Sequence, residues 1–128
     1  MTRVQHICIL EDAPFFAGLY ARKFEARGWK TTVIEEADAL ERCLEQHPDV
    51  LIVDIESDEY RARDVVAKLR SPESPYRSLP IIILTHASDW ATIQRFMKLG
   101  VDAYLFKGHF VPSEVVEKVQ RVLESRVV

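Results

Sequence analysis

Four short apolar runs punctuate the chain: HICIL (His6 to Leu10), VLIV (Val50 to Val53), IIIL (Ile81 to Leu84) and AYLF (Ala103 to Phe106). They are rich in Ile and Val and do not alternate with polar residues, which predicts strands buried on both faces. Between them apolar residues recur at helical spacing, as in Phe16, Leu19, Tyr20 and Phe24, or Ala37, Leu40, Cys43 and Leu44. Val65, Val66 and Leu69, then Ile93, Phe96 and Met97, then Val115, Val116, Val119, Val122 and Leu123 repeat that pattern. KTTVIE (Lys30 to Glu35) is more polar and alternates, which suits a strand at a sheet edge. Gly28 follows the first helical stretch, Pro48 closes the second, Pro80 opens a strand, Gly100 ends the fourth helix and Pro112 begins the last. The result is five strand-helix units. Such alternation implies right-handed crossovers and an α/β fold, a parallel sheet covered by helices on both faces. SPESPYRSLP (Ser71 to Pro80) is the one loop dense in turn formers and is too short for a domain linker.

Composition narrows the function. The 128 residues, 48% hydrophobic, fit one compact domain over 1–128. The net charge of -3 is mild and Lys and Arg are scattered singly along the chain. That argues against direct nucleic-acid binding by this domain. Cys8 lies in an apolar run and Cys43 in a helical pattern, with no CxxC and no His spacing suited to zinc; both read as core or surface residues in a reducing cytoplasm. No apolar run approaches the length of a membrane span, and MTRVQH lacks the apolar block of a signal peptide. A soluble, unexported protein without a membrane partner is expected. His6, His47 and His109 share no spacing and read as surface or strand-end residues, while Trp29 and Trp90 read as packing aromatics.

The chemistry concentrates where the apolar runs stop. In an open parallel sheet, ligands bind beyond the carboxyl ends of the strands. There the first strand delivers Glu11 and Asp12, the third Asp54, the fourth Thr85 and the fifth Lys107. Several carboxylates at one partly desolvated edge need a compensating cation. Mg²⁺ prefers oxygen ligands and keeps several waters; Glu11, Asp12 and Asp54 are suited to it, with the Glu56 carbonyl a further candidate. A carboxylate beside Mg²⁺ can itself attack a phosphoryl group, with Lys107 and the Thr85 hydroxyl set to meet phosphoryl oxygens.

The ordered pieces ILED, VLIVD, IIILTHA and MKLGVDAYLFKG make the chain, from His6 to about Val127, resemble the receiver domains of two-component response regulators. That resemblance implies the doubly wound, flavodoxin-like fold with strand order 2-1-3-4-5. It also implies Mg²⁺ dependence and phosphotransfer to Asp54 from a sensor histidine kinase or a histidine phosphotransferase. Tyr104, three positions before Lys107, would act with Thr85 as the switch pair, and Glu56, His86 and Ala87 would modulate access to Asp54. The switched surface would be the fourth helix, fifth strand and fifth helix, where Trp90, Ile93, Met97, Tyr104 and Phe106 lie and some would form a partner or self-association patch, with a homodimer as one output. The chain departs from the family at four places: Asp58 and Ala62 stand where a Pro and a Gly are usual, Gly108 follows the lysine in place of Pro, and His86 follows Thr85 in place of a small residue. The turn after Asp54 would lose stiffness, and a trans bond is expected at Lys107-Gly108.

Two other readings fit the same residues. One is a pseudo-receiver, a phosphorylation-independent protein-binding module of the same fold. The other is an aspartate-nucleophile hydrolase with Glu56 as its second acid, disfavoured because so short a chain has no substrate-binding insertion. The receiver itself would be free-standing or the N-terminal part of a longer protein, with at most self-phosphotransfer and autodephosphorylation as its enzymatic activity.

Overall fold

The computed structural model describes residues 5–11, 14–35, 37–55, 59–86, 89–107 and 111–125. In chain order these form β1 (His6–Glu11), α1 (Pro14–Ala26), β2 (Lys30–Ile34), α2 (Ala37–Leu44), β3 (Val50–Ile55), α3 (Glu59–Leu69), β4 (Ile81–Thr85), α4 (Trp90–Leu99), β5 (Ala103–Phe106) and α5 (Pro112–Ser125). All strand pairs are parallel, and the sheet order is β2-β1-β3-β4-β5. The doubly wound order expected above is therefore the observed one, with polar Lys30–Ile34 at one edge.

β1, β3 and β4 each run past the apolar stretch that announced them, taking in Glu11, Asp54 with Ile55, and Thr85. The backbone ladder is indifferent to side-chain polarity, so a strand continues while its neighbour does. Glu11 pairs with Asp54, and Ile55 with Thr85.

Because side chains alternate along a strand, each buried strand supplies both faces. Cys8, Leu10, Leu51, Val53, Ile81 and Ile83 face one way and pack with Leu40 and Leu44 of α2, Val65 and Val66 of α3, and Phe96 of α4. Ile7, Ile9, Val50, Ile52, Ile82 and Leu84 face the other way and pack with Tyr20 and Phe24 of α1 and Val115, Val116 and Val119 of α5. Both cysteines are buried, and both belong to the α2–α4 side. Trp29 stacks on Phe24 at 5.7 Å, as packing predicts. Trp90, by contrast, begins α4 beside the capping Asp89 and is 70% exposed, not packed into the core.

At the amino-terminal edge of the sheet one carboxylate ties several elements. Asp102 Oδ2 accepts from the Ile81 amide at 2.8 Å and from Arg70 Nη2 at 3.0 Å, while Arg70 Nε donates to the Gly100 carbonyl at 2.9 Å. Gly100 closes α4 with φ 96°, a left-handed conformation that a side chain would strain. His47 adopts φ 55° after α2, where a glycine would be usual. Among the described residues no helix is long and apolar enough to cross a membrane.

Candidate functional site

The parallel register of β1 and β3 sets Glu11 beside Asp54 at the carboxyl edge of the sheet. β5 ends at Phe106, and the next residue, Lys107, sends its Nζ onto Asp54 Oδ1 and to 3.9 Å from Glu11 Oε2. All three side chains are buried, the carboxylates completely. An isolated ion in such a place would cost several kcal/mol, so each charge depends on the others. Two carboxylates against one ammonium leave the cluster one positive charge short when all three are ionised. Glu11 and Asp54 are hard oxygen donors on neighbouring strands, a set that fits a small hard cation that keeps much of its water. Among the described residues no group of three His, Cys, Asp or Glu side chains comes together as a ready-made ligand shell. Asp12 and Glu56, the other expected ligands, lie outside the described residues, as do Ala87, Asp58 and Gly108.

Thr85 closes β4 and is buried. Strand parity separates it from the charged trio. Asp54 continues the series Val50, Ile52 toward α1 and α5, and Thr85 continues Ile81, Ile83 toward α4. Tyr104, paired with Ile83, packs on the same α4 side, its ring 6.2 Å from that of Phe96 at an interplanar angle of 43°. The expected switch pair thus shares one face of the sheet while Glu11, Asp54 and Lys107 meet at the edge. Phe96 read as a core residue of the fourth helix; periodicity gives no sign of the cross-element ring contact that ties it to Tyr104.

His86 directly follows Thr85 and is exposed at the sheet edge. Ala62, the residue standing in for glycine, is buried within α3, where a helical backbone makes no demand for glycine's extra freedom. On the outer side of α4, Trp90 and Met97 (48% exposed) are seven residues apart and so share a face, and Val111 (55% exposed) precedes α5. Ile93, Tyr104 and Phe106 are half-buried in the same region.

Residues 7–120 match the family model described as the response regulator receiver domain. The polar-differentiation response regulator DivK of Brucella ovis is 29% identical over 107 residues, covering 83% of this chain and 86% of that protein. The structure of the chemotaxis response regulator CheY4 of Vibrio cholerae superposes with a TM-score of 0.81 at 21% identity, covering 94% of this chain and 99% of the other. The signal receiver domain of a signal transduction histidine kinase from Syntrophus aciditrophicus gives a TM-score of 0.80 at 25% identity, covering 97% and 93%.

Proposed function

Because the chain belongs to the response regulator receiver domain family, we propose that it acts as one receiver unit whose Asp54 accepts a phosphoryl group from a histidine of a sensor kinase or phosphotransferase. The observation that carries this reading is the buried meeting of Asp54 with Glu11 and Lys107 at the carboxyl edge of the sheet. An Asp54 oxygen forms the new P–O bond as the P–N bond to the donor breaks. The donor nitrogen keeps the bonding pair, and a proton carried on the other nitrogen of its ring lets the imidazole leave neutral.

Lys107 has two tasks in this scheme. Before transfer it holds Asp54 Oδ1 and offsets one of the two carboxylate charges; during transfer its ammonium turns to an equatorial phosphoryl oxygen, where negative charge is spread. The Thr85 hydroxyl donates to a second oxygen. Glu11, with Asp12 and the Glu56 carbonyl, would hold Mg²⁺ beside Asp54. When bound, the ion supplies the positive charge the trio lacks and orients phosphoryl oxygens. Thr85 drawn toward the phosphoryl group vacates space on the α4 side, and Tyr104 turns inward beside Phe96. That changes the face carrying Trp90, Met97 and Val111, the surface proposed for a partner or a second copy. His86, with Ala87 and Glu56, governs which donors reach Asp54. The work is done in the cytoplasm, where histidine donors of this kind act.

Intact mass after incubation with Mg²⁺ and acetyl phosphate tests the proposal. A gain of one phosphoryl group in the parent and none in Asp54→Asn is expected. No gain with acetyl phosphate or with a kinase donor would leave a phosphorylation-independent binding module as the surviving reading. Light scattering with and without beryllofluoride tests the dimer, which an unchanged mass refutes.

A further inference from the structure

Lys and Arg are scattered in sequence, but folding gathers three of them. α3 and α4 lie side by side, and a groove of about 440 Å³ runs between them, lined by Arg63, Asp64 and Ala67 of α3 and Arg95, Lys98 and Leu99 of α4. Three cations line it beside the Asp64 carboxylate, and Arg95 Nη2 also donates to Thr92 Oγ1 at 3.0 Å, near the end of α4 that Asp89 caps. The Asp64 carboxylate is itself offset, because its Oδ2 is 3.1 Å from Lys68 Nζ one turn along α3. Arg95 and Lys98 are exposed, and Ala67 with half-buried Leu99 gives the groove a small apolar floor. This positive strip stands on a chain whose net charge is -3, so it is a local field of the sign opposite to the whole.

We infer that the α3–α4 groove is a docking surface for an acidic segment of a partner protein, its carboxylates meeting Arg63, Arg95 and Lys98 and a small apolar side chain covering Ala67 and Leu99. Charge complementarity chooses this occupant. Three cations make a short footprint for a phosphate backbone, which argues against a nucleic acid. The groove is also distinct from the Trp90–Met97 face. Arg95 and Met97 are two positions apart on α4, which at about 100° per residue directs them to sides roughly 160° apart. Docking here needs no phosphoryl group on Asp54.

Fluorescence anisotropy with the full chain and a fluorescein-labelled peptide alternating Glu and Leu tests the inference, in low salt with EDTA. Saturable binding is expected, with no binding of the Lys-and-Leu counterpart and weakening as salt rises. Arg95→Glu and Lys98→Glu each lower the affinity about fivefold or more, and the double reversal removes binding. Arg95→Gln and Lys98→Gln give smaller losses and serve if a reversal disturbs folding. Lys23→Glu on α1, which makes the same charge change on an exposed site, leaves the affinity unchanged, and so does Asp54→Asn, which separates this result from the fate of the phosphoacceptor reading. The inference is overturned by no binding, by equal binding of the Lys peptide, by equal losses from Lys23→Glu, or by a single-stranded oligonucleotide that binds more tightly through Arg95 and Lys98.

Discussion

Replacing Lys107 with Met removes the ammonium and keeps most of the side chain's volume. Asp54 and Glu11 would then be two buried carboxylates on adjacent strands with no cation from this residue. The loss is set by what those charges forfeit. Breaking a buried pair by removing one partner costs about 3–5 kcal/mol. The gross attraction across the 3.9 Å between Lys107 and Glu11 is of the same size, about 4 kcal/mol at an effective dielectric of about 20. Against a total stability on the order of 5–15 kcal/mol, that is a large fraction. Urea unfolding followed by far-ultraviolet circular dichroism in EDTA measures it, with an unchanged slope showing that the unfolded state is the same. EDTA matters because a bound divalent ion would take over the ammonium's role. The double variant Lys107→Met with Asp54→Asn removes both members of the contact and should recover more than half of the loss, since a neutral replacement of a buried pair is nearly without cost. If Lys107→Met unfolds within about 1 kcal/mol of the parent, or if the double variant is as unstable as the single one, the trio is not held together by the attraction of its ammonium for the carboxylates.

Three further outcomes follow from groups away from that trio. His6 sits buried with Nε2 2.9 Å from Thr32 Oγ1, and burial, aided by Lys30, lowers its pKa below the ordinary 6.5. The folded state therefore resists protonation, so His6 favours stability above pH 6.5 and that contribution is lost as pH falls from there toward the lowered value; melting temperature should drop over that window, and His6→Gln should flatten the drop. Asp102→Ala takes the acceptor from both the Ile81 amide and Arg70 and should cost about 2–3 kcal/mol in urea unfolding. Gly100→Ala should cost about 1–2 kcal/mol, because φ is 96° there and the added carbon would lie 3.4 Å from Arg70 Nε.

The sheet was readable because its inner strands are buried on both faces: Ile81 to Leu84 and Val50 to Val53 leave no alternative to a covered parallel strand. Order along the sheet came from resemblance, since periodicity carries no pairing information. The convergence of Glu11, Asp54, Thr85 and Lys107 on one edge was legible from their places after apolar runs, yet the contact of Lys107 with Asp54 was not. A flexible four-carbon stem reaches many positions, and its choice is made by the buried carboxylates. Trp90 reads in the sequence both as a packing aromatic and as part of the fourth-helix surface; at 70% exposed, as the first residue of α4, it departs from the first reading and agrees with the second. The clasp of Arg70 with Asp102 and the gathering of Arg63, Arg95 and Lys98 depend on the separation and rotation of α3 and α4, which spacing within either helix leaves open.

The clasp built by Arg70, Gly100, Asp102 and Ile81 has a mechanical meaning. It fastens the carboxyl-terminal ends of α3 and α4 at the edge of the sheet opposite Asp54. The two helices are thus pinned together like the blades of shears. Any relative movement of their other ends would have to turn about that fastened point.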